Sequence, residues 1–208
     1  MGAEIVLMDG TILKIGGKHL DSEGYDLLGL ITGSEGLLGV VTEVTVRILK
    51  KPESVRAVLI GFDTIEDSGN CVADIIAKGI VPAGMEIMDK PLIIATDNYA
   101  KAGYPRDVEA LLIVELDGTT SEVDTLIDKV LDIAKMNKAS YNRASNSDAE
   151  RLRFWKGRKA AFTACGVLAP DYICMDGSIP RNKLADVLGY INKPVSYTHL
   201  TLPTIRWV

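Results

Sequence analysis

The sequence predicts an α+β fold, and three features of the chain indicate it. Residues 54–62 and 110–116 are continuous segments rich in Val, Ile and Leu, as in buried strands. Residues 65–76 and 123–134 instead place apolar side chains at helical spacing. Strands and helices alternate along the chain with short connections, which favours helices packed on a mainly antiparallel sheet.

Composition limits the function classes that the chain can belong to. It has 208 residues, 47% hydrophobic and 25% charged, which is ordinary for one large globular domain or one and a half smaller ones. A net charge of −5 without a basic block argues against nucleic acid as a partner. No apolar run approaches the roughly 20 residues needed to span a bilayer. Three cysteines without a C-x-x-C pair, and only two histidines, argue against a disulfide framework or a structural zinc site. We expect reduced thiols in a protein of the cytoplasm or the membrane periphery.

The first part of the chain predicts a hairpin and a strand. Residues 4–15 alternate in polarity around Asp9 and Gly10, the dipeptide preferred in type I′ turns. Residues 40–49 alternate again and are rich in β-branched residues, as in a strand. The side chains expected to face inward are Val41, Val44 or Val46, and Ile48.

The remainder of the chain, after a Lys-Lys-Pro boundary at residues 50–52, predicts a sheet with helices on one of its faces, resembling the ferredoxin-like arrangement. A capping box formed by Ser121 and Asp124 begins the clearest helix. Residues 90–99 are ambiguous between helix and loop. The remaining predicted elements are strands at 54–62, 80–88, 110–116 and 140–144, helices at 64–78 and 147–163, an extended segment at 171–179, and a last helix at 181–191 opened by Pro180.

Residues 24–43 contain three glycines at three-residue spacing, Gly33, Gly36 and Gly39, between two apolar runs. One interpretation is a structural turn between two buried strands. The other is a cradle in which backbone N–H groups contact the polar edge of a cofactor. The spacing matches neither the dinucleotide fingerprint nor the P-loop.

Several motifs carry a resemblance to a known family. GYDLLGLITGSEGLLGVVTEVTVRIL, residues 24–49, resembles the late FAD-binding segment of FAD-linked oxidases of the vanillyl-alcohol-oxidase type, which have a PCMH-type FAD-binding domain. Within that superfamily it is similar to the branch of glycolate oxidase FAD subunits and D-lactate dehydrogenases. Four downstream motifs agree: PAGMEIMDK (82–90), ALLIVELDG (110–118), FWKGRKAAF (154–162) and DYICMDGSIPRNKL (171–184).

The resemblance implies a domain organisation. Residues 1–52 correspond to the end of the FAD-binding domain, and 53–194 to a truncated FAD-linked oxidase C-terminal domain that covers the substrate. The family's pyrophosphate loop and its H-x-G-D-G-N-x-H segment, which supplies the catalytic histidines, do not occur in the chain. We therefore expect an internal fragment that holds no catalytic residue, binds FAD poorly and is inactive alone. Two departures from the family, Leu37 in place of threonine and Glu23 in place of a small residue, bear on local flavin contacts.

Residues 195–208, VSYTHLTLPTIRWV, are not expected to continue the last helix. Their first part resembles a translation of the end sequence used in transposase-based sequencing libraries. We therefore expect an artefactual tail that derives from adaptor DNA; the alternative is a true short tail.

The resemblance also implies a reaction. In the family, FAD takes a hydride from the α-carbon of a small 2-hydroxy acid. Arg158 aligns with the arginine that binds the substrate carboxylate, whose two oxygens suit a guanidinium. The alternative is a solvated arginine on a basic helix face. Phe162, one turn further on, is expected to wall the substrate site or to belong to the core.

Other candidates are weaker. Cys174 stands where some relatives place a substrate-contacting lysine, which argues against a second carboxylate on the substrate. Glu35 is a candidate base, but a solvated or backbone-bound carboxylate is the simpler interpretation. His19 is expected to be a surface or packing histidine and not a catalyst. The expected flavin contacts are Tyr25, Asp26, Gly33, Ser34, Gly36, Gly39, Val40 and Val41.

Two function classes follow. The first is a fragment of a flavin-dependent 2-hydroxy-acid oxidoreductase of the glycolate or D-lactate class, which passes electrons to an iron–sulfur subunit, an electron-transfer flavoprotein or quinone. The second is a non-catalytic α+β binding module in which the glycines form only a turn.

Overall fold

The computed structural model describes residues 1–19, 24–174 and 177–198. The chain divides into two compact units, residues 1–51 and residues 52–208.

The first unit is a three-stranded antiparallel sheet with the order β2-β1-β3, built from β1 (Gly2–Val6), β2 (Ile12–Gly16) and β3 (Val40–Thr45). The predicted hairpin between β1 and β2 is confirmed, but its turn is not type I′. Gly10 has a φ of +83° whereas Asp9 does not have a positive φ, and the Gly10 N–H donates to the carbonyl of Leu7 over 2.9 Å. The loop therefore needs one left-handed residue, which glycine supplies.

Both segments that flank the three glycines differ from the prediction of buried strands. The preceding run forms a short helix, α1 (Leu27–Ile31), with no buried residue. All six residues of β3 are exposed. The predicted inward set, Val41, Val44, Val46 and Ile48, is exposed as well. The backbone of β3 pairs with β1, and this pairing by itself covers neither face of the strand.

The second unit contains a four-stranded antiparallel sheet with the order β5-β6-β4-β7. Its strands are β4 (Ser54–Phe62), β5 (Gly84–Asp89), β6 (Ala110–Gly118) and β7 (Tyr141–Ala144). Across the sheet, the second strand of this unit is therefore followed by its third, first and fourth strands. This order confirms the ferredoxin-like topology. The long pair β4–β6 runs from Ser54 opposite Gly118 to Phe62 opposite Ala110.

Helices cover both faces of this sheet, and the prediction of one covered face is wrong. Val58 and Ile60 face a core that contains residues of α2 (Ile65–Ala77) and α4 (Thr120–Met136). Leu59 faces a second core with residues of α3 (Lys90–Ala100) and α5 (Asp148–Lys159). A strand that is buried on both faces reads as a continuous apolar run, which explains the sequence of β4 and β6.

Capping side chains set where the helices begin. Thr64 accepts from the Asp67 N–H at the start of α2, and Asp89 accepts from the Leu92 N–H at the start of α3, so the ambiguous segment 90–99 is helical. The capping box of α4 joins Thr119 and Glu122 and not the predicted Ser121 and Asp124. Helix α4 begins two residues earlier than expected because its caps directly follow the end of β6.

The C-terminal part departs from the predictions in three ways. The predicted helix 147–163 is two helices, α5 and α6 (Ala161–Leu168), separated at Ala160. The described residues within 171–179 contain no strand. After a 3-10 turn at Arg181–Lys183, α7 (Leu184–Thr198) continues past residue 195, so the predicted helix end is wrong; the predicted tail beyond residue 198 lies outside the described residues.

In the part of the chain that the structure describes, no helix combines the length and the hydropathy that a membrane crossing requires.

Candidate functional site

The loop between α1 and β3 contains two glycines that the backbone conformation requires. Gly33 has a φ of +82° and Gly36 a φ of +83°, and a Cβ added at either position would meet nothing within 4 Å. Between them, Glu35 also has a positive φ, of 51°. Two backbone hydrogen bonds close the loop, from Ser34 N–H to the carbonyl of Ile31 and from Leu37 N–H to that of Ser34. These glycines therefore leave an open surface, onto which a ligand can come close to the backbone.

Gly39 serves a different purpose. Its φ is +153°, and an added Cβ would lie 2.7 Å from Cγ2 of Ile5 and 2.8 Å from the carbonyl oxygen of Val6. The residue is glycine because β1 packs against the backbone at this point. The three equally spaced glycines thus serve two purposes: Gly33 and Gly36 are needed for the turn, and Gly39 is needed for packing.

A cavity of about 350 Å³ lies over the same loop. Two of the predicted flavin contacts, Gly33 and Ser34, line it. The other lining residues are Leu30, Thr32, Glu35, Leu37 and Leu38. Apolar side chains next to exposed backbone and hydroxyl groups suit a flat ring with a polar edge, so the residues present fit part of a flavin.

The other predicted flavin contacts lie outside the lining of this cavity. Asp26 caps α1 by accepting from the Gly29 N–H over 2.8 Å, and Tyr25 is 91% exposed. Val40 and Val41 are exposed on β3. Glu35 is exposed, as in the simpler interpretation of a solvated carboxylate, and His19 is exposed as expected.

Arg158, on α5 of the second unit, is a largely buried, ion-paired residue. Its Nε and Nη2 atoms lie 3.2 and 3.1 Å from Oε2 of Glu86. The two side chains are only 12% and 10% exposed. The alternative of a solvated arginine on a basic helix face is therefore wrong for Arg158, although it fits its neighbour Arg153, which is 46% exposed.

A second acidic residue of the sheet also holds α5. Oε2 of Glu115, on β6, accepts a hydrogen bond from Nε1 of Trp155 over 2.6 Å and one from Nη1 of Arg151 over 3.0 Å. Glu115 lies opposite Gly84 on β5, two residues before Glu86, so both carboxylates face the same helix. Reasoning from the sequence missed both glutamates. Their signal was a carboxylate inside each apolar strand, MEIM and IVELD, where a charge needs a partner.

Tyr104 fixes the helix next to Arg158. Its hydroxyl donates a hydrogen bond to the carbonyl oxygen of Phe154, and the backbone of Arg158 bonds to the same hydroxyl. Burial raises the pKa of Tyr104 well above its ordinary value, and the contacts with Arg158 offset this only in part. A Cβ at Gly157 would lie 2.6 Å from the Tyr104 ring. Glycine at 157 is thus required for the ring to lie against the helix.

Asp97, on α3, holds the loop that carries Tyr104. Its Oδ1 accepts from the N–H groups of Gly103 and Tyr104, and its Oδ2 from Arg106 over 2.7 Å. Burial by itself raises the pKa of Asp97, but these hydrogen bonds outweigh it and hold the pKa below its ordinary value. The carboxylate therefore stabilises the loop in its charged form.

The two remaining substrate-site candidates are less well placed. Phe162 belongs to α6, beyond the break at Ala160, and is 52% exposed, so it is neither on the same helix as Arg158 nor in the core. Its ring lies 6.5 Å from that of Tyr172. Cys174 is exposed. Among the residues that the structure describes, no group of three His, Cys, Asp or Glu side chains is arranged to hold a metal ion.

Comparison with known families identifies the family to which the chain belongs. The family described as FAD linked oxidases, C-terminal domain, matches residues 51–202. The chain belongs to the FAD-linked oxidase family. This family consists of FAD-dependent enzymes, so the predicted resemblance and the predicted cofactor are confirmed at the level of the family.

Curated relatives refine the position within the family. The chain is 51% identical over 185 residues to the glycolate oxidase subunit GlcD of Escherichia coli (strain K12), covering 89% of this chain and 37% of that protein. It is 34% identical over 162 residues to D-lactate dehydrogenase [cytochrome] 1, mitochondrial, of Saccharomyces cerevisiae, covering 76% of this chain and 27% of the relative. The chain thus spans about a third of the length of these relatives.

A solved structure supports the fold. Alkyldihydroxyacetonephosphate synthase superposes with a TM-score of 0.66 at 16% identity, over 95% of this chain and 40% of that one. At this identity the likeness concerns the fold alone, and it agrees with the α+β architecture.

Proposed function

We propose that this chain forms part of a longer flavoprotein that oxidises a small 2-hydroxy acid of the glycolate or D-lactate class. The family and the two named relatives support the reaction class. The observation that carries the proposal is Arg158, a largely buried guanidinium with one edge on Glu86, whose Nη1 atom donates to no residue in the described part of the chain. A largely buried cation with one edge unoccupied by any described residue suits a small anion.

Arg158 is assigned the role of binding the substrate carboxylate. A guanidinium presents parallel N–H groups that match two carboxylate oxygens and remains charged at any working pH. Held at its carboxylate, a 2-hydroxy acid has its α-carbon at a fixed distance from the arginine. FAD, when bound, supplies the acceptor for the hydride. The chain is assigned no proton acceptor, which the rest of the polypeptide is proposed to provide.

The loop around Gly33 and Gly36 is assigned to the flavin. Its open backbone and the cavity that Gly33 and Ser34 line support contact with a polar ring edge. Gly39 is proposed to contribute by keeping β1 close to this loop. Tyr25, Asp26, Val40 and Val41 are proposed as further neighbours of the cofactor, and Phe162 as a wall of the substrate site.

The electron acceptor is proposed to be a partner, either an iron–sulfur subunit, an electron-transfer flavoprotein or quinone. Support comes from the Escherichia coli relative, which is a subunit of glycolate oxidase. The chain is proposed to act only within the longer flavoprotein, so the isolated 208-residue chain should hold FAD poorly and reduce no dye.

A hybrid protein tests the proposal. This chain replaces the matching segment of the Escherichia coli GlcD subunit, to which it is 51% identical, and the purified hybrid is assayed for flavin absorbance and for dye reduction with a panel of 2-hydroxy acids. We expect bound flavin and turnover of glycolate or D-lactate. A hybrid that binds flavin but oxidises none of these acids contradicts the proposal.

Arg158 variants in the hybrid test the assigned residue. Arg158→Ala should raise KM by about 10- to 100-fold, because a hydrogen bond to a charged group contributes about 1.5–3 kcal/mol. Arg158→Lys should raise KM by less than Arg158→Ala does but should not reach the parent KM, since an ammonium lacks the two parallel N–H donors of a guanidinium. The matched control is Arg153→Ala, which removes an exposed arginine from the same helix and should leave KM unchanged. An unchanged KM in Arg158→Ala excludes the assigned role.

A further inference from the structure

We propose that Glu86 is a positioning residue, which holds the guanidinium of Arg158 by its Nε–Nη2 edge and keeps the Nη1 edge available for the substrate carboxylate. The proposal rests on the function proposed for Arg158. It adds a residue from a different strand, 72 positions away in the sequence, which does not touch the substrate itself.

The geometry of the pair supports orientation as well as charge compensation. One oxygen, Oε2 of Glu86, accepts from both Nε and Nη2 of Arg158, at 3.2 and 3.1 Å. Two hydrogen bonds from one edge to the same oxygen keep that edge turned toward Glu86, whereas a single bond would let the guanidinium turn in its own plane. Among the residues that the structure describes, none accepts a hydrogen bond from Nη1, so this side remains for a second carboxylate.

Both partners are attached to rigid elements. Glu86 lies in the middle of β5, opposite Ile113 on β6, and its strand neighbours Met85 and Ile87 are buried. Arg158 lies on α5, which Glu115 holds through Trp155 and Arg151. The backbones of the two residues are therefore fixed independently of their own ion pair. The ion pair therefore determines which rotamer the Arg158 side chain adopts.

Electrostatics favours this assignment over a purely structural role. A buried ion pair contributes little net stability, because desolvation of both charges offsets their attraction. Its specific effect is conformational, since an unpaired Arg158 would turn toward other acceptors or solvent. A glutamine at 86 keeps an acceptor oxygen for the same two N–H groups and removes only the charge. Orientation and charge are therefore separable by substitution.

The experiment compares variants in the hybrid flavoprotein. Glu86→Ala should raise KM for the 2-hydroxy acid by about 10-fold with a smaller change in kcat, because a misplaced binding group weakens substrate capture. Glu86→Gln should stay within about threefold of the parent KM, as it keeps the acceptor. The double variant Glu86→Ala/Arg158→Ala should have the KM of Arg158→Ala alone, because a positioning residue no longer affects KM once the group that it positions is absent.

The matched control is Glu115→Ala. It also removes a partly buried carboxylate that accepts from α5, so it should lower thermal stability to a similar extent while changing KM by less than Glu86→Ala does. Equal increases of KM in the two variants show that Glu86 acts only through the position of the helix, which overturns the proposal. So does an additive effect in the double variant.

The proposal and the function on which it rests fail differently. If Arg158→Ala raises KM and Glu86→Ala does not, the positioning role is wrong and the proposed function stands. If neither variant changes KM, the function assigned to Arg158 fails. A measurement on the 208-residue chain does not depend on activity: 15N NMR should show slow rotation of the Arg158 guanidinium that becomes fast in Glu86→Ala and remains slow in Glu115→Ala. Fast rotation in the parent chain overturns the proposal.

Discussion

The ring of Tyr104 occupies the space that a side chain at Gly157 would need, and its hydroxyl donates a hydrogen bond to the carbonyl oxygen of Phe154. A Cβ at position 157 would lie 2.6 Å from two ring atoms. Helix α5 is thus held at its C-terminal end by an aromatic ring that only glycine admits, one residue before Arg158.

The first prediction is that Gly157→Ala destabilises the protein although alanine favours helix. Overpacking of a buried contact should lower the free energy of unfolding by about 1–3 kcal/mol, measured by urea denaturation. The control is Gly166→Ala in α6, where an added Cβ meets nothing within 4 Å. That variant should be more stable than the parent by about 0.5–1 kcal/mol. Equal effects of the two substitutions contradict the packing role of Tyr104.

The second prediction concerns the pH dependence contributed by Asp97. Its pKa in the folded protein is lowered, so its contribution to stability is present above its unfolded pKa of about 3.9 and is lost as pH falls through the folded value. Asp97→Asn should lower the free energy of unfolding at pH 7 by about 1–3 kcal/mol. The difference from the parent should shrink below about pH 4.

Thermal unfolding of both proteins at a series of pH values measures this difference. Asp128→Asn, at an exposed position of α4, is the control and should follow the parent at every pH. A deficit of Asp97→Asn that stays constant down to pH 3 contradicts the assigned role of the carboxylate.

The third prediction is that the cysteines differ in reactivity. Burial, with a smaller effect of the Asp74 charge, raises the pKa of Cys71 to about 12, so almost no thiolate exists at pH 8. Iodoacetamide should label the exposed Cys174 within minutes and Cys71 only after unfolding in urea. Mass spectrometry of tryptic peptides measures both sites. Rapid labelling of Cys71 in the folded chain is the opposing result.

The fourth prediction tests the glycine loop in the hybrid flavoprotein. Gly36→Val should abolish flavin retention, because a β-branched residue is strained at a φ of +83° and its side chain would cover the open backbone. Gly17→Val is the matched control. Position 17 also has open space but no left-handed φ, so the purified variant should keep its flavin absorbance. A yellow Gly36→Val protein contradicts the proposed cofactor contact.

The sequence by itself determined the central sheet and the family. The strand predicted at 54–62 agrees with β4, and the strand predicted at 110–116 agrees with β6 except that β6 continues to Gly118. Both predictions succeed because a long apolar run bounded by polar residues is a local signal. The order of strands and helices was sufficient for the ferredoxin-like topology. The glycine motif and the four downstream motifs were sufficient for the family.

Only the tertiary structure decided which side chains meet. Glu86 and Arg158 are 72 residues apart, and nothing local in either segment indicates the other. The break between α5 and α6 likewise places Phe162 away from the helix of Arg158, although the sequence reads as one continuous helix. The exposure of β3, which the sequence predicts to be half-buried, likewise depends on which elements pack against it. Periodicity shows that a residue has an apolar or polar side, but packing between distant elements determines what that side contacts.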